Sequence, residues 1–235
     1  PPPPLQPPKA PPAAPLSYLT RSVLSIPSTA ATSLNASTLI AQIAQSATTS
    51  STTPGGSVES TVEVQLTHRS SLSSQLPNGV TTEQMRIALQ STLCSGRDPS
   101  ECTVTSESGR RHRQRALQTS ATFTVTQYLN ASSTASLAAP TVDTTTLAAN
   151  LGVPSVATPT VTLQEVEASI VVVSAGSASS AEAAQALATQ SALPTTLASA
   201  LGVSSADLTF VSAPVTVGPP MPPPSLPPSP PVLPP

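Results

Sequence analysis

Two cysteines, Cys94 and Cys102, are separated by seven residues. The stretch Ser95-Gly96-Arg97-Asp98-Pro99 between them reads as a turn, so a disulfide would close a short loop and tie the element before it to the one after. Two free thiols or a metal pair are the alternatives, but no histidine is spaced to complete a zinc site. The disulfide is expected if the compartment is oxidising. Asn35-Ala36-Ser37 and Asn130-Ala131-Ser132 match the N-glycosylation acceptor pattern, and both fall in polar segments expected at the surface. Arg110-Arg111-His112-Arg113-Gln114-Arg115 holds four of the nine basic residues. This stretch lies between two strands and is expected to be a hairpin loop. Arg110, Arg111, Arg113 and Arg115 could be simply solvated, could direct a protease that cuts at paired basic residues, or could bind an acidic or sulfated glycan. Nucleic acid is the least favoured partner, because no aromatic stacking platform accompanies the arginines.

No constellation for catalysis joins them. His68 is expected on an exposed strand face and His112 in the basic loop, neither beside a nucleophile in a recognisable motif. Glu165 and Glu167 share one face of a strand and read as a solvated strand edge. Pro54-Gly55-Gly56 is a linker turn and not a phosphate cradle. The chain is read as non-enzymatic, with no cofactor and no metal.

Composition narrows the classes further. The 235 residues carry a net charge of −2, with 9% charged and 2% aromatic residues. That balance offers no global attraction to nucleic acid or to an anionic membrane. With 38% apolar residues the chain can bury a core. No apolar run reaches the roughly 18 residues that span a bilayer. The 29 prolines are unevenly placed: nine fall in residues 1–15, eleven in 219–235, and nine in everything between. Contiguous prolines lock φ and lack N–H donors, so both ends are expected to be polyproline II stalks, the longer one a rod of roughly 50 Å. Such a stalk can be a stiff spacer, a ligand for SH3 or WW domains in a scaffold, or a substrate for proline hydroxylation and O-glycosylation. Residues 219–235 contain no Lys or Arg to anchor an SH3-type domain, which favours the third use over the second. The chain opens inside a proline run without Met, and reads as a segment of a longer polypeptide.

The elements that position these residues follow from periodicity. Thr61-Val62-Glu63-Val64-Gln65-Leu66-Thr67 alternates as a strand. Pro77-Asn78-Gly79 is a turn, and Thr81 with Gln84 forms a capping box ahead of Met85, Leu89 and Leu93 at helical spacing. Strands follow at Cys102–Thr105 and Ala121–Thr126. Asp143 caps a helix that Gly152 ends, and Thr160–Leu163 is the next strand. A third unit starts at Val166–Val173. Ser179 and Glu182 cap an Ala-rich helix to Gln190, Pro194 starts another, and Leu208–Val211 closes the unit. The nine residues from Thr145 match the nine from Thr195 at seven positions, a repeat that points to duplicated architecture. The expected fold class is α+β: ferredoxin-like β-α-β-β-α-β modules with an antiparallel sheet, flanked by polyproline II stalks. The expected organisation is a stalk at 1–15, a segment at 16–57 that could complete the second module, a ferredoxin-like module at 58–164, a β-α-β half module at 165–218, and a stalk at 219–235. In the segment 16–57, Leu16–Leu24 would be a strand and Ser37–Gln45 a helix.

The Ser-Pro-Pro texture of Pro222-Pro223-Pro224-Ser225-Leu226-Pro227-Pro228-Ser229-Pro230-Pro231, the Ala/Ser/Thr-rich modules and the Arg-rich stretch running into Ala116-Leu117-Gln118 resemble volvocine green-algal hydroxyproline-rich glycoproteins. That group includes cell-wall proteins and the axial protein of flagellar mastigonemes. The likeness is compositional over about 32 stalk residues and one of texture elsewhere. It implies an extracellular structural glycoprotein of the cell wall or the ciliary surface. Its partners would be covalent glycans and other glycoprotein chains in a fibre. It implies hydroxylation and O-glycosylation at Pro2, Pro3, Pro4, Pro7, Pro8, Pro11 and Pro12, and at Pro220, Pro222, Pro223, Pro224, Pro227, Pro228, Pro230 and Pro231, with Ser225 and Ser229 as further acceptors. The run Ala168-Ser169-Ile170-Val171-Val172-Val173 also resembles the self-cleaving segment of SEA domains, but Ala168 stands where that motif has Gly, and the run reads as a buried strand.

Overall fold

The computed structural model describes residues 18–31, 34–48, 60–107, 120–174 and 180–217. Six strands among them form one antiparallel sheet. They are β1 (Tyr18–Ile26), β2 (Ser60–Gln75), β3 (Cys102–Ser106), β4 (Ser120–Leu129), β5 (Thr160–Ser174) and β6 (Thr209–Val217). The helices are α1 (Ser28–Ala31), α2 (Ala36–Thr48), α3 (Thr82–Leu93), α4 (Thr144–Leu151) and α5 (Ser180–Leu201).

The spatial order of the strands is β3-β4-β2-β5-β1-β6. It contains one pattern twice. An inner unit, β2-α3-β3-β4-α4-β5, places its four strands in the order second, third, first, fourth. An outer unit, β1-α2-β2 with β5-α5-β6, places its own four in the same order. The long strands β2 and β5 belong to both, so the expected boundary at 164/165 falls inside β5. They pair along almost their whole length, from Ser60 opposite Ser174 to Ser73 opposite Thr160.

Both helix pairs cover one face of this sheet. On β2 the alternate residues Leu66, His68, Ser70 and Leu72 are all buried. Leu66 belongs to the core under α2 and α5, with Leu39, Ile43, Leu193 and Leu197. Leu72 belongs to the core under α3 and α4, with Met85, Leu89, Phe123 and Leu147. Each of these fully buried side chains contributes about 1.5–3 kcal/mol by leaving water. A bulge in β5 keeps the pattern in phase. The register slips between Ser71 and Leu72, so Thr162 drops out of the ladder and Val161 takes the core-facing position.

Local chemistry sets the element ends. Thr81 and Gln84 form the capping box of α3, and Asp143 accepts from the backbone N–H groups of Thr145 and Thr146 to start α4. Gly79 takes φ +82° in the Pro77–Val80 turn, a position that disfavours any residue with a Cβ. The internal repeat is structural as well as sequential. Leu147 and Leu197 are both fully buried. Gly152 and Gly202 end their helices at φ +67° and +68°. Val153 and Val203 donate back to Ala148 and Ala198 at 3.1 Å each, closing matched C-terminal caps.

Two expected boundaries are absent: the separate strands expected at Thr160–Leu163 and Val166–Val173 run together as β5. Pro194 does not start a helix; it lies inside α5, a single helix of 22 residues. Its ring removes one backbone donor, but Leu193, Leu197 and Ala198 are buried on both sides of it and hold the helix on the sheet. Ser179, the expected cap, lies outside the described residues.

Candidate functional site

Between the two cores, the covered face of the sheet turns polar. Moving along β2 from Leu66, the next core-facing residues are His68 and Ser70 before the apolar pattern resumes at Leu72. On β4 the residue opposite His68 is Gln127, and on β5 the residue opposite Ser70 is Gln164. The helix pairs separate above this belt and leave a cleft of about 350 Å³. Its floor is His68, Ser70, Val125 and Gln127. One wall is the β4–α4 connection, through Ser136, Ala138, Ala139, Pro140 and Thr141, and Arg97 stands opposite.

His68 was expected on an exposed face; it is 3% exposed. The strand continues beyond Thr67, and residue 68 keeps the parity of Val62, Val64 and Leu66. Burial of an imidazole requires partners. The Gln164 amide nitrogen lies 3.1 Å from His68 Nε2 and donates to the Leu137 carbonyl at 3.0 Å. An amide N–H can only donate, so Nε2 accepts and the ring proton sits on Nδ1. The Gln127 side chain faces the ring from the neighbouring strand. The Ser70 hydroxyl is 3.4 Å from Nε2. Desolvation holds the His68 pKa below its ordinary value; the polar Gln127 side chain opposes that shift and the Arg97 charge adds to it. The ring is neutral near pH 7.

Arg97 is positioned by the expected disulfide. Cys94 and Cys102 are bonded, with Cα atoms 5.5 Å apart. Arg97 N–H donates to the Cys94 carbonyl at 3.1 Å. Asp98 accepts from Ser100 N–H and Oγ at 2.8 and 2.7 Å, contacts that lower its carboxyl pKa. The loop is therefore set by covalent and hydrogen bonds together. The Gln90 side chain adds to this by pairing with the outer edge of β3, donating to the Cys102 carbonyl at 2.9 Å and accepting from Val104 N–H at 2.6 Å. Among the described residues the Arg97 guanidinium has no ion-pair partner and no hydrogen-bond acceptor.

The two glycosylation asparagines, Asn35 and Asn130, are exposed, and their triplets are adjacent. Asn35 Oδ1 caps α2 by accepting from Thr38 N–H at 2.8 Å and from Ser37 Oγ at 3.0 Å. Asn130 Oδ1 accepts from Ser132 Oγ at 2.7 Å. Ser37 N–H donates to the Ser133 carbonyl and Ala36 N–H to the Ala135 carbonyl. The triplets therefore stand on neighbouring segments, and the second leads into the cleft wall.

Glu165 and Glu167 lie on the uncovered face of β5, a central strand and not an edge. Glu167 pairs with Arg69 at 3.3 Å. Ala168 and Ser169 sit inside ladders on both sides. The basic residues Arg110 to Arg115 join β3 and β4 but lie outside the described residues, as do all the stalk prolines, Ser225 and Ser229.

Sequence reasoning missed Ser70, Arg97, Gln127, Gln164 and Ser136. Period-two parity carried past Thr67 would have found the first, and Arg97 is marked only by its place between the cysteines. Among the described residues no cluster of His, Cys, Asp and Glu could hold a metal, and no helix is long and apolar enough to cross a membrane. Comparison with protein-family models, with curated proteins and with solved structures finds no match to this chain.

Proposed function

We propose that this chain is a non-enzymatic structural segment of an extracellular glycoprotein, in which folded units alternate with hydroxyproline-rich, glycosylated rods to build a mastigoneme-like fibre or a cell-wall lattice. We also infer that each repeated strand set is a ferredoxin-like unit; the shared order of strands and the helices on one face support that reading. The observation that carries the functional reading is the pairing of Leu19 with Val217. These residues lie next to the two proline-rich segments, and they are neighbours on adjacent antiparallel strands. Both rods would thus attach at one corner, and the folded part would project sideways from the line they form. The rods set spacing and stiffness, and the pendant body offers lateral contacts. Tension applied through both rods would pass through the β1–β6 pair and open it one hydrogen bond at a time, so the geometry suits spacing and lateral contact more than tensile load. The disulfide supports an oxidising compartment. Mass spectrometry of native material tests the proposal: hydroxylated, glycosylated prolines at 220–231 are expected. Unmodified prolines throughout both ends, or recovery of the protein from the cytosol, would reject it.

A further inference from the structure

The cleft between the helix pairs has a composition that a purely structural body does not need. We propose that it binds a monosaccharide-sized hydroxylated carboxylate, a uronic acid, with the carboxylate on Arg97. Its volume of about 350 Å³ lies at the lower end of the range of small-molecule sites. Among the described residues no Asp or Glu lines it. Arg97, the one cation among the described lining residues, is partly buried and has no anionic partner among the described residues, so an incoming carboxylate would supply the missing acceptor in a fork–fork pair. One guanidinium balances one negative charge; a phosphate dianion would find no second cation among the described residues.

The rest of the lining suits hydroxyl groups. Ser70, Ser136 and Gln127 supply both donors and acceptors, whereas an inorganic oxyanion needs donors alone. Ala139 and Pro140 give a small apolar wall for the C–H face of a sugar ring. Arg97 sits in the loop closed by Cys94–Cys102, so little ordering is left to the binding step. The geometry opposes nucleophilic chemistry at Ser70: the Nε2 lone pair of His68 already accepts from Gln164, and no other base adjoins the hydroxyl among the described residues.

The test is titration of the whole chain with glucuronate, followed by calorimetry and by the imidazole resonances of His68. Saturable binding is expected at a Kd of about 1 mM or tighter. Glucose and acetate are each expected to bind at least ~10-fold more weakly, the sugar for want of the charge and acetate for want of the hydroxyls. Arg97→Gln should remove binding while the circular dichroism spectrum stays unchanged. If that variant does not fold, Arg97→Lys, which keeps the charge without the fork, should weaken binding by roughly tenfold. Tighter binding of a uronate trisaccharide would assign the site to a polymer chain, and equal binding to a free sugar; either supports it. Acetate binding as tightly as glucuronate would overturn the sugar assignment. No saturable binding of glucuronate, or undiminished binding in a folded Arg97 variant, would overturn the site.

Discussion

The inner and outer units share a strand order and two strands, yet they are held by different means. The inner unit has a disulfide, a capping box on α3 and a side-chain cap on α4. Its edge strand β3 is shielded by Gln90, whose amide occupies backbone groups that another strand could otherwise take. The outer unit has the Asn35 cap on α2 but rests chiefly on aliphatic packing between α2, α5 and the sheet. Its edge strand β6 exposes Val211, Val215 and Val217. Pro214 interrupts its row of donors, and the register slips against β1 blunt it further. The difference teaches that a repeated topology does not require repeated energetics. With few aromatics to fill the cores, the inner unit adds covalent and polar restraints, while the outer one relies on buried Leu, Ile and Ala.

The sharpest break in this comparison should come from the matched leucines. Leu147→Ala and Leu197→Ala empty equivalent sites in the two cores, and each should cost about 2–5 kcal/mol in denaturant unfolding. Because β2 and β5 serve both units, both variants should lower one common transition; two separate transitions would mean that the units are independent. Removing the staple with Cys94→Ser and Cys102→Ser together should cost about 2–3 kcal/mol, given a nine-residue loop. Hydrogen exchange should then rise first in β3 and α3, with α2 and α5 unaffected at equal stability. Gly152→Ala and Gly202→Ala should each cost about 1–2 kcal/mol, because both positions hold left-handed backbone. A Cβ there meets nothing within 4 Å, so equal costs would show that backbone conformation alone sets the loss.

The smallest effect should lie in the seam between the units. His68 has a folded pKa below its unfolded value near 6.5. The neutral ring is therefore favoured by folding, and its contribution is complete above that value. It declines as pH falls below it, because the unfolded chain then binds the extra proton. Thermal melts from pH 7.5 to 5 should show a falling Tm that His68→Asn flattens. An unchanged slope in that variant would place the titration elsewhere. Glu83, Asp98 and Asp143 have carboxyl pKa values lowered by hydrogen bonds, so their losses belong to more acid conditions and do not overlap this window.

Much of the inner unit could be read from the chain because its signals are local. Thr81 with Gln84, Asp143 ahead of Thr145 and Thr146, and Gly152 after Leu151 act over distances of a few residues. The disulfide was legible for the same reason, since the turn between Cys94 and Cys102 brings the two side chains together. Pro194 misled because a ring that lowers helix stability suggests a boundary, while burial of Leu193 and Leu197 outweighs that penalty. The length of β2 was underestimated because Ser and Thr dilute its alternation after Leu66, and the misplacement of His68 followed from that.

Strand alternation, caps, left-handed glycines and the 50-residue repeat are properties of short stretches, and the order of residues sufficed to specify them. Folding alone brought Arg97 over His68 and set Gln127 and Gln164 beside the buried imidazole. It also joined Leu19 to Val217 across the length of the chain. Those contacts depend on how β2 registers between β4 and β5, and β1 between β5 and β6. Register is settled by the summed packing of residues far apart in sequence, which no local pattern encodes.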